Sequence, residues 1–246
     1  MHPKKHTFTR ADTNKVINLG YIIKKSSSLA LEKFLRKEFP NFDLVKFLEE
    51  IENVFTPTTN LDIERTIFYQ GTPPKLRLLF ENKRTKVGDA LIFDREFFKS
   101  AKGIEINHSY CVLPEAHQGN GLVKAIFQAS LQEYVNIGAK KIHVHAGLSV
   151  GGHTWARHGF VAINPADVKE ILEDAEGRLM PAEFTAVKRI YDKYYTDHPA
   201  GKAFPMILWA KLDFMKSILK GSNWIGEVDL TNKEQFSNFK KYVFRK

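Results

Sequence analysis

Residues 112–123 run V-L-P-E-A-H-Q-G-N-G-L-V, and their types and spacing suit the binding of an anion. Gly119 and Gly121 remove side chains that would keep a ligand away from the backbone. The amides opening a following helix have no intrahelical partners and point toward an arriving negative charge. A glycine-bearing loop between an apolar strand and an amphipathic helix therefore predicts a phosphate site, with a pyrophosphate as its ligand. The elements that must position the loop are visible on both sides of it. Residues 104–112 alternate as a strand. Leu122, Val123, Ile126, Phe127, Leu131, Tyr134 and Val135 recur at helical spacing until Gly138, and residues 141–146 form the next strand.

This order of strand, loop, helix and strand resembles the acyl-CoA-binding core of the GNAT superfamily of N-acetyltransferases. The family signature is Gln or Arg, two residues, Gly, one residue, then Gly or Ala. Gln118, Gly121 and Val123 stand in those three places, so two match and Val123 departs. The resemblance implies acetyl-CoA or another acyl-CoA as co-substrate, its pyrophosphate held by Val112, Gln118, Gly119, Asn120, Gly121, Leu122 and Val123. Valine can donate the same amide as glycine but brings bulk close to the phosphate. Residues 153–160, H-T-W-A-R-H-G-F, are similar to a later family helix that ends in Gly-Phe. Many members place a tyrosine four residues before that glycine to protonate the departing thiolate; here the position is Trp155, whose indole N–H is too weak an acid. Another acid, solvent, or a domain without catalysis would answer that substitution.

Glu105 lies 13 residues before Gln118, the offset at which the histone-acetylating branch carries its general base. The resemblance implies that Glu105 accepts a proton from an attacking amine, a task that partial burial would favour by raising its pKa. Equally, Glu105 suits a solvated position at a strand start. In the same arrangement His145 is a second base or substrate contact. Tyr110, sharing a strand face with His108, is a substitute acid. The resemblance covers residues 104–160 and leaves both ends of the chain unexplained.

Other reactive side chains lead elsewhere. His143 and His145 alternate with Ile142, Val144 and Ala146, which places both imidazoles on one strand face. Such a pair can bind a metal, but no third ligand is evident in the sequence. Cys111 suits a small buried hydrophobe, with no basic partner in the sequence to activate its thiol.

The 246 residues suffice for a substantial core, and 43% hydrophobic with 26% charged residues is ordinary for a globular protein. The single cysteine excludes an internal disulfide. No apolar run reaches membrane-spanning length, and residues 1–6 lack the apolar centre of a signal peptide, so a cytoplasmic protein is expected. The formal charge of +9 favours an anionic partner such as coenzyme A or nucleic acid. No arginine-rich or aromatic-interleaved motif accompanies the lysines, and a solvated basic surface explains them as well.

The rest of the chain points to an α+β fold: a mixed, mainly antiparallel sheet with flanking helices and an added C-terminal helical region. Three segments are expected, an N-terminal helical part at 1–62, the acyl-CoA-binding core at 63–163 and a helical extension at 164–246. In the first, residues 1–25 look irregular, Ser26, Ser27 and Ser28 offer an N-cap, and two helices end before Pro40 and Pro57. Strands at 63–69, 75–81, 90–98 and 104–112 form a meander, with charged turn residues at 82–86. In the extension, proline opens helices at 165–175, 181–195 and 205–219; an extended piece at 224–230 precedes a last helix capped near Thr231 or Asn232.

Function follows from the loop and the resemblance: an N-acyltransferase in which an amine, of unknown identity, attacks an acyl-CoA directly. The alternatives are a catalytically inactive GNAT-like binding module and a basic effector or toxin modifying aminoacyl-tRNA. Oligomeric state is not encoded legibly.

Overall fold

The computed structural model describes residues 3–55, 62–82, 88–147, 151–199 and 201–245. Residues 83–86 of the expected charged turn lie outside them. The fold is mixed α and β with mainly antiparallel pairing, in two compact units, Met1–Lys141 and Ile142–Lys246. The expected boundary after residue 62 falls inside the first unit and that after 163 inside the second.

The first unit begins with helix α1 (Arg10–Asn18), where irregular chain was expected. Thr9 and Asp12 explain it: the Thr9 hydroxyl accepts from the Asp12 amide, and the Asp12 carboxylate accepts from the Thr9 amide at 2.9 Å, a reciprocal cap. Strand β1 (Ile22–Ser26) follows, so Ser26 ends a strand rather than capping a helix. Ser27 accepts from the Leu29 amide, and Ala30 stands at the N-cap of α2 (Leu31–Glu38) without a side-chain bond. Helix α3 (Leu44–Phe55) then returns the chain to the sheet.

Strands β2 (Ile63–Gly71), β3 (Pro74–Asn82), β4 (Ile92–Ser100) and β5 (Gly103–Val112) form the expected antiparallel meander, and β1 joins β2 in parallel at the outer edge. Phe34, Phe47 and Phe55 from the helices, with Phe39 and Phe42 from the connection between α2 and α3, meet Tyr69, Phe80, Phe93 and Phe97 from one sheet face, all at most 2% exposed. Helix α4 (Leu122–Asn136) completes this layer through Tyr134, which packs on Phe47 and Phe97. Gly138, at φ 69°, ends the helix as expected: its amide donates to Val135 and that of Ala139 to Tyr134.

In the second unit β9 (Trp224–Asp229) lies between β6 (Lys141–Ala146) and the short β7 (Val161–Ala162), with β8 (Phe204–Pro205) beyond β7. Helix α5 (Gly151–Arg157) precedes β7; α6 (Pro165–Arg178) and α7 (Pro181–Asp197) start on proline as expected. The helix expected at 205–219 is broken into α8 (Ile207–Ala210) and α9 (Met215–Gly221). Rotation explains the break. At about 100° per residue, a continuous helix would put Met206 and Met215 on opposite faces. The turn between them lets Met206, Trp209, Met215, Ile218 and Leu219 all be buried. Helix α10 (Lys233–Phe244) closes the chain, its Asn232 side chain accepting from the Glu234 and Gln235 amides.

Candidate functional site

Strand β5 feeds the glycine loop through a bulge. Asp94 pairs with Tyr110 and Glu96 with Asn107, so Arg95 alone faces His108 and Ser109. The extra residue shifts the alternation. His108 therefore belongs to the core face with Ile106, and Tyr110 to the other with Asn107. The expectation that His108 and Tyr110 share a face is corrected by this one residue. Their surroundings agree: His108 is 2% exposed and stacked on Phe127, whereas Tyr110 is 53% exposed.

After Val112 the chain makes a single 3-10 turn at Glu115–His117 and reaches α4. Gln118 braces the loop from within, its side-chain amide donating to the Leu113 carbonyl at 2.9 Å and its backbone amide to Glu115 at 3.2 Å. The Gln118 amide is thus already engaged, and the amides offered to an anion begin at Gly119. Asn120 donates to the Ala116 carbonyl. Gly119 and Gly121 have φ of 81° and 77°, the left-handed region in which a side chain is strained. A Cβ at either would meet nothing within 4 Å. Glycine is required there by conformation, and the space above the backbone is open.

Gly121 is the N-cap of α4, and no side chain caps that helix. Its ladder opens with the Ala125 amide donating to the Gly121 carbonyl at 3.0 Å. The amides of Leu122 and Val123 precede that bond and, with the helix dipole, favour an anion over the loop. Val123 is only half-buried, so its side chain does not close the approach. Glu115 is the one acidic side chain of the loop, placed beside Gly88.

The residues expected to carry catalysis are not gathered at one point. Glu105 is 6% exposed and accepts from the Ser100 hydroxyl at the β4–β5 turn; that hydroxyl also accepts from the Lys102 amide. Glu105 is therefore a buried, bonded carboxylate, not a solvated one. Tyr110 lies five residues along the same strand, roughly 15 Å away at about 3.3 Å per residue. The two side chains cannot act on one atom. His145 is exposed on β6 in the second unit, where its Nε2 donates to Asn223 Oδ1 at 2.6 Å, leaving Nδ1 as the basic nitrogen. His143 shares its face, as expected, with Nδ1 4.0 Å from the Glu227 carboxylate.

Trp155 is a helix-stop residue in structural terms. The Phe160 amide donates to its carbonyl at 3.2 Å, the Gly159 amide to Ala156 at 3.1 Å, and Gly159 has φ 82°. The Trp155 and Phe160 rings pack at 5.6 Å across this cap. The Gly-Phe terminus is thus accounted for by helix termination and burial. Cys111 has its thiol pKa pushed up by burial, which suits the expected inert role.

Arg95 is the residue that sequence reasoning missed. It is 1% exposed, lies over the Phe93 ring at 4.2 Å, and donates from Nη1 to the Asp94 and Tyr110 carbonyls at 2.9 and 3.0 Å. Its guanidinium fills the bulge and satisfies the carbonyls on both strands beside it. On the other sheet face Arg77 holds the buried Asp94 carboxylate through two bonds of 2.7 and 3.0 Å.

Among the described residues, no group of three or more His, Cys, Asp or Glu side chains could hold a metal ion. None of their helices is long and apolar enough to cross a membrane. Comparison of the chain with protein-family models, with curated proteins and with solved structures found no match.

Proposed function

We propose that the protein is a GNAT-like N-acyltransferase that acylates an amine with acetyl-CoA or another acyl-CoA. One observation carries this reading: two left-handed glycines with open space above them lead into a long helix that no side chain caps. A pyrophosphate fits that cradle through the amides of Gly119, Asn120, Gly121, Leu122 and Val123, with Val112 and Gln118 shaping its entrance. When bound, the acyl thioester supplies an electrophilic carbonyl. Glu105 takes the amine proton, directly or through a water molecule. Tyr110, exposed near the loop end of β5, is too far from Glu105 to act with it on one acyl carbon, so the departing thiolate takes its proton from solvent. A reducing, cytoplasmic setting suits the single cysteine and this co-substrate.

A second reading, a GNAT-like binding module without catalysis, is favoured by Trp155, which is buried in a helix cap and cannot serve as an acid. Calorimetric titration with acetyl-CoA separates the possibilities. Binding that disappears in Gly121→Glu supports the cofactor site, and turnover in an amine screen then distinguishes enzyme from module. No heat of binding with the unaltered protein overturns the acyl-CoA reading.

A further inference from the structure

Helices α5 and α9 meet along rows spaced four residues apart: Gly152 and Ala156 on α5, Met215 and Leu219 on α9, all buried. The approach at Gly152 is so close that a Cβ there would collide with the Leu219 carbonyl and the Ser222 hydroxyl. One position beyond each of these four residues stands a basic one: His153, Arg157, Lys216 and Lys220. A single residue turns a helix by about 100°, so these side chains flank the seam instead of entering it. Arg157, Lys216 and Lys220 are exposed, and His153 is half-buried.

Arg157, Lys216 and Lys220 all lie near enough to His153 for their charges to act on its imidazole. The His153 pKa is held below the usual value, first by burial and then by the charges of Arg157, Lys216 and Lys220, with no carboxylate among the groups acting on it. Among the described residues none of the three cations is in an ion pair, and Asp213, the acid nearest in sequence to Lys216, does not pair with it. Four helix cations of the same unit have an acid four residues away, Lys169 with Glu173, Arg178 with Asp174, Lys188 with Asp192 and Lys193 with Asp197, while among the described residues Arg189 on α7 and Lys240 and Lys241 on α10 share the unpaired state of the seam cations. The charge at the α5–α9 seam is therefore concentrated and unneutralised.

We propose that this seam docks the phosphodiester backbone of a nucleic acid. Basic residues four apart on a helix are spaced about 6 Å along its axis, a separation suited to neighbouring phosphates of one strand. The exposed positions form an open surface and not an enclosed pocket, which suits an extended polyanion. No exposed aromatic side chain stands among the four to stack a base, so the contact reads phosphate and is indifferent to sequence. This inference does not depend on the acyltransferase reading.

The test is fluorescence anisotropy of the intact protein with a fluorescein-labelled, twenty-nucleotide single strand over a range of salt. The double variant Lys216→Glu, Lys220→Glu is compared with Lys24→Glu, Lys25→Glu, which makes the same charge change on β1; circular dichroism verifies each fold. The seam variant is expected to bind at least tenfold more weakly, with a salt slope shallower by about 1.4 for two lost phosphate contacts. The β1 variant should bind as the unaltered protein does. If the double variant fails to fold, Arg157→Gln is expected to give the same loss in smaller measure. Equal weakening in both double variants, no salt-dependent binding at all, or displacement of the oligonucleotide by polyglutamate as readily as by unlabelled strand would each overturn the proposal.

Discussion

His108 Nε2 lies 3.0 Å from the Tyr134 hydroxyl, and this bond ties β5 to α4 on the core side of the glycine loop. Both residues are buried, and the Ser130 and Arg95 side chains reach the same hydroxyl. Burial raises the Tyr134 pKa, so the group at neutral pH is the phenol. Tyr134→Phe removes one partner of a buried ring nitrogen and should cost about 1–3 kcal/mol. Urea unfolding measures the loss; an unchanged midpoint would show that the bond contributes nothing to holding strand and helix together.

Arg95→Met keeps much of the stem that packs in the core but withdraws the donor shared by two strand carbonyls. A loss of about 2–4 kcal/mol is expected, because buried acceptors are left without a partner. Hydrogen exchange should accelerate most in β4 and β5 around residues 94–96 and 107–110. Uniform acceleration across the first unit would instead point to a general packing role.

Gly121→Ala tests the conformational requirement at the loop separately from any ligand. With nothing within 4 Å of the added carbon, the cost is that of the left-handed backbone alone, about 1 kcal/mol. Gly121→Asn, which tolerates that region better, should lose less. Equal melting temperatures for Ala and Asn variants would contradict the backbone argument.

Glu38 links stability to pH. Burial works to raise its pKa, but bonds from Lys99 at 2.9 Å and Lys37 at 3.2 Å outweigh burial and hold it below 4.5. A carboxylate with a lowered folded pKa contributes stability above its unfolded value, which is lost as pH falls through the folded one. Glu38→Gln should therefore melt below the unaltered protein at pH 7. The two curves should converge as pH falls through the lowered folded-state pKa of Glu38. A constant gap at every pH would mean that the charge of Glu38 is not what stabilises.

The long elements of this fold were legible because their apolar spacing is strong: Phe34 and Leu35 on α2, Phe47, Leu48 and Ile51 on α3, and the alternation through β2 to β5. The reciprocal cap of Thr9 and Asp12 was also written in the sequence, yet the short, polar helix it opens carries little periodicity to confirm it. Ser26 shows the converse, a capping residue type used at a strand end because the parallel pairing with Gln70 claims it. The bulge beside Arg95 was not legible, since one extra residue leaves the apolar pattern of β5 almost unchanged while reversing the faces of everything after it. For the same reason Gly119 and Gly121 could be found from sequence, whereas the arginine that holds the strand behind them could not.

The outermost strand β1 has a further consequence. Among the described residues β1 pairs with β2 alone, and its outer edge carries exposed Ile22 beside exposed Lys24 and Lys25, a strip of backbone able to recruit a strand from another molecule. The two lysines act as gatekeepers: a second copy seeking to extend the sheet would have to bury or oppose their charge. Replacing them with uncharged β-formers would leave the interior untouched while opening a route to fibrils, so their contribution is to colloidal behaviour, in a region whose packing alone gives no reason for charge.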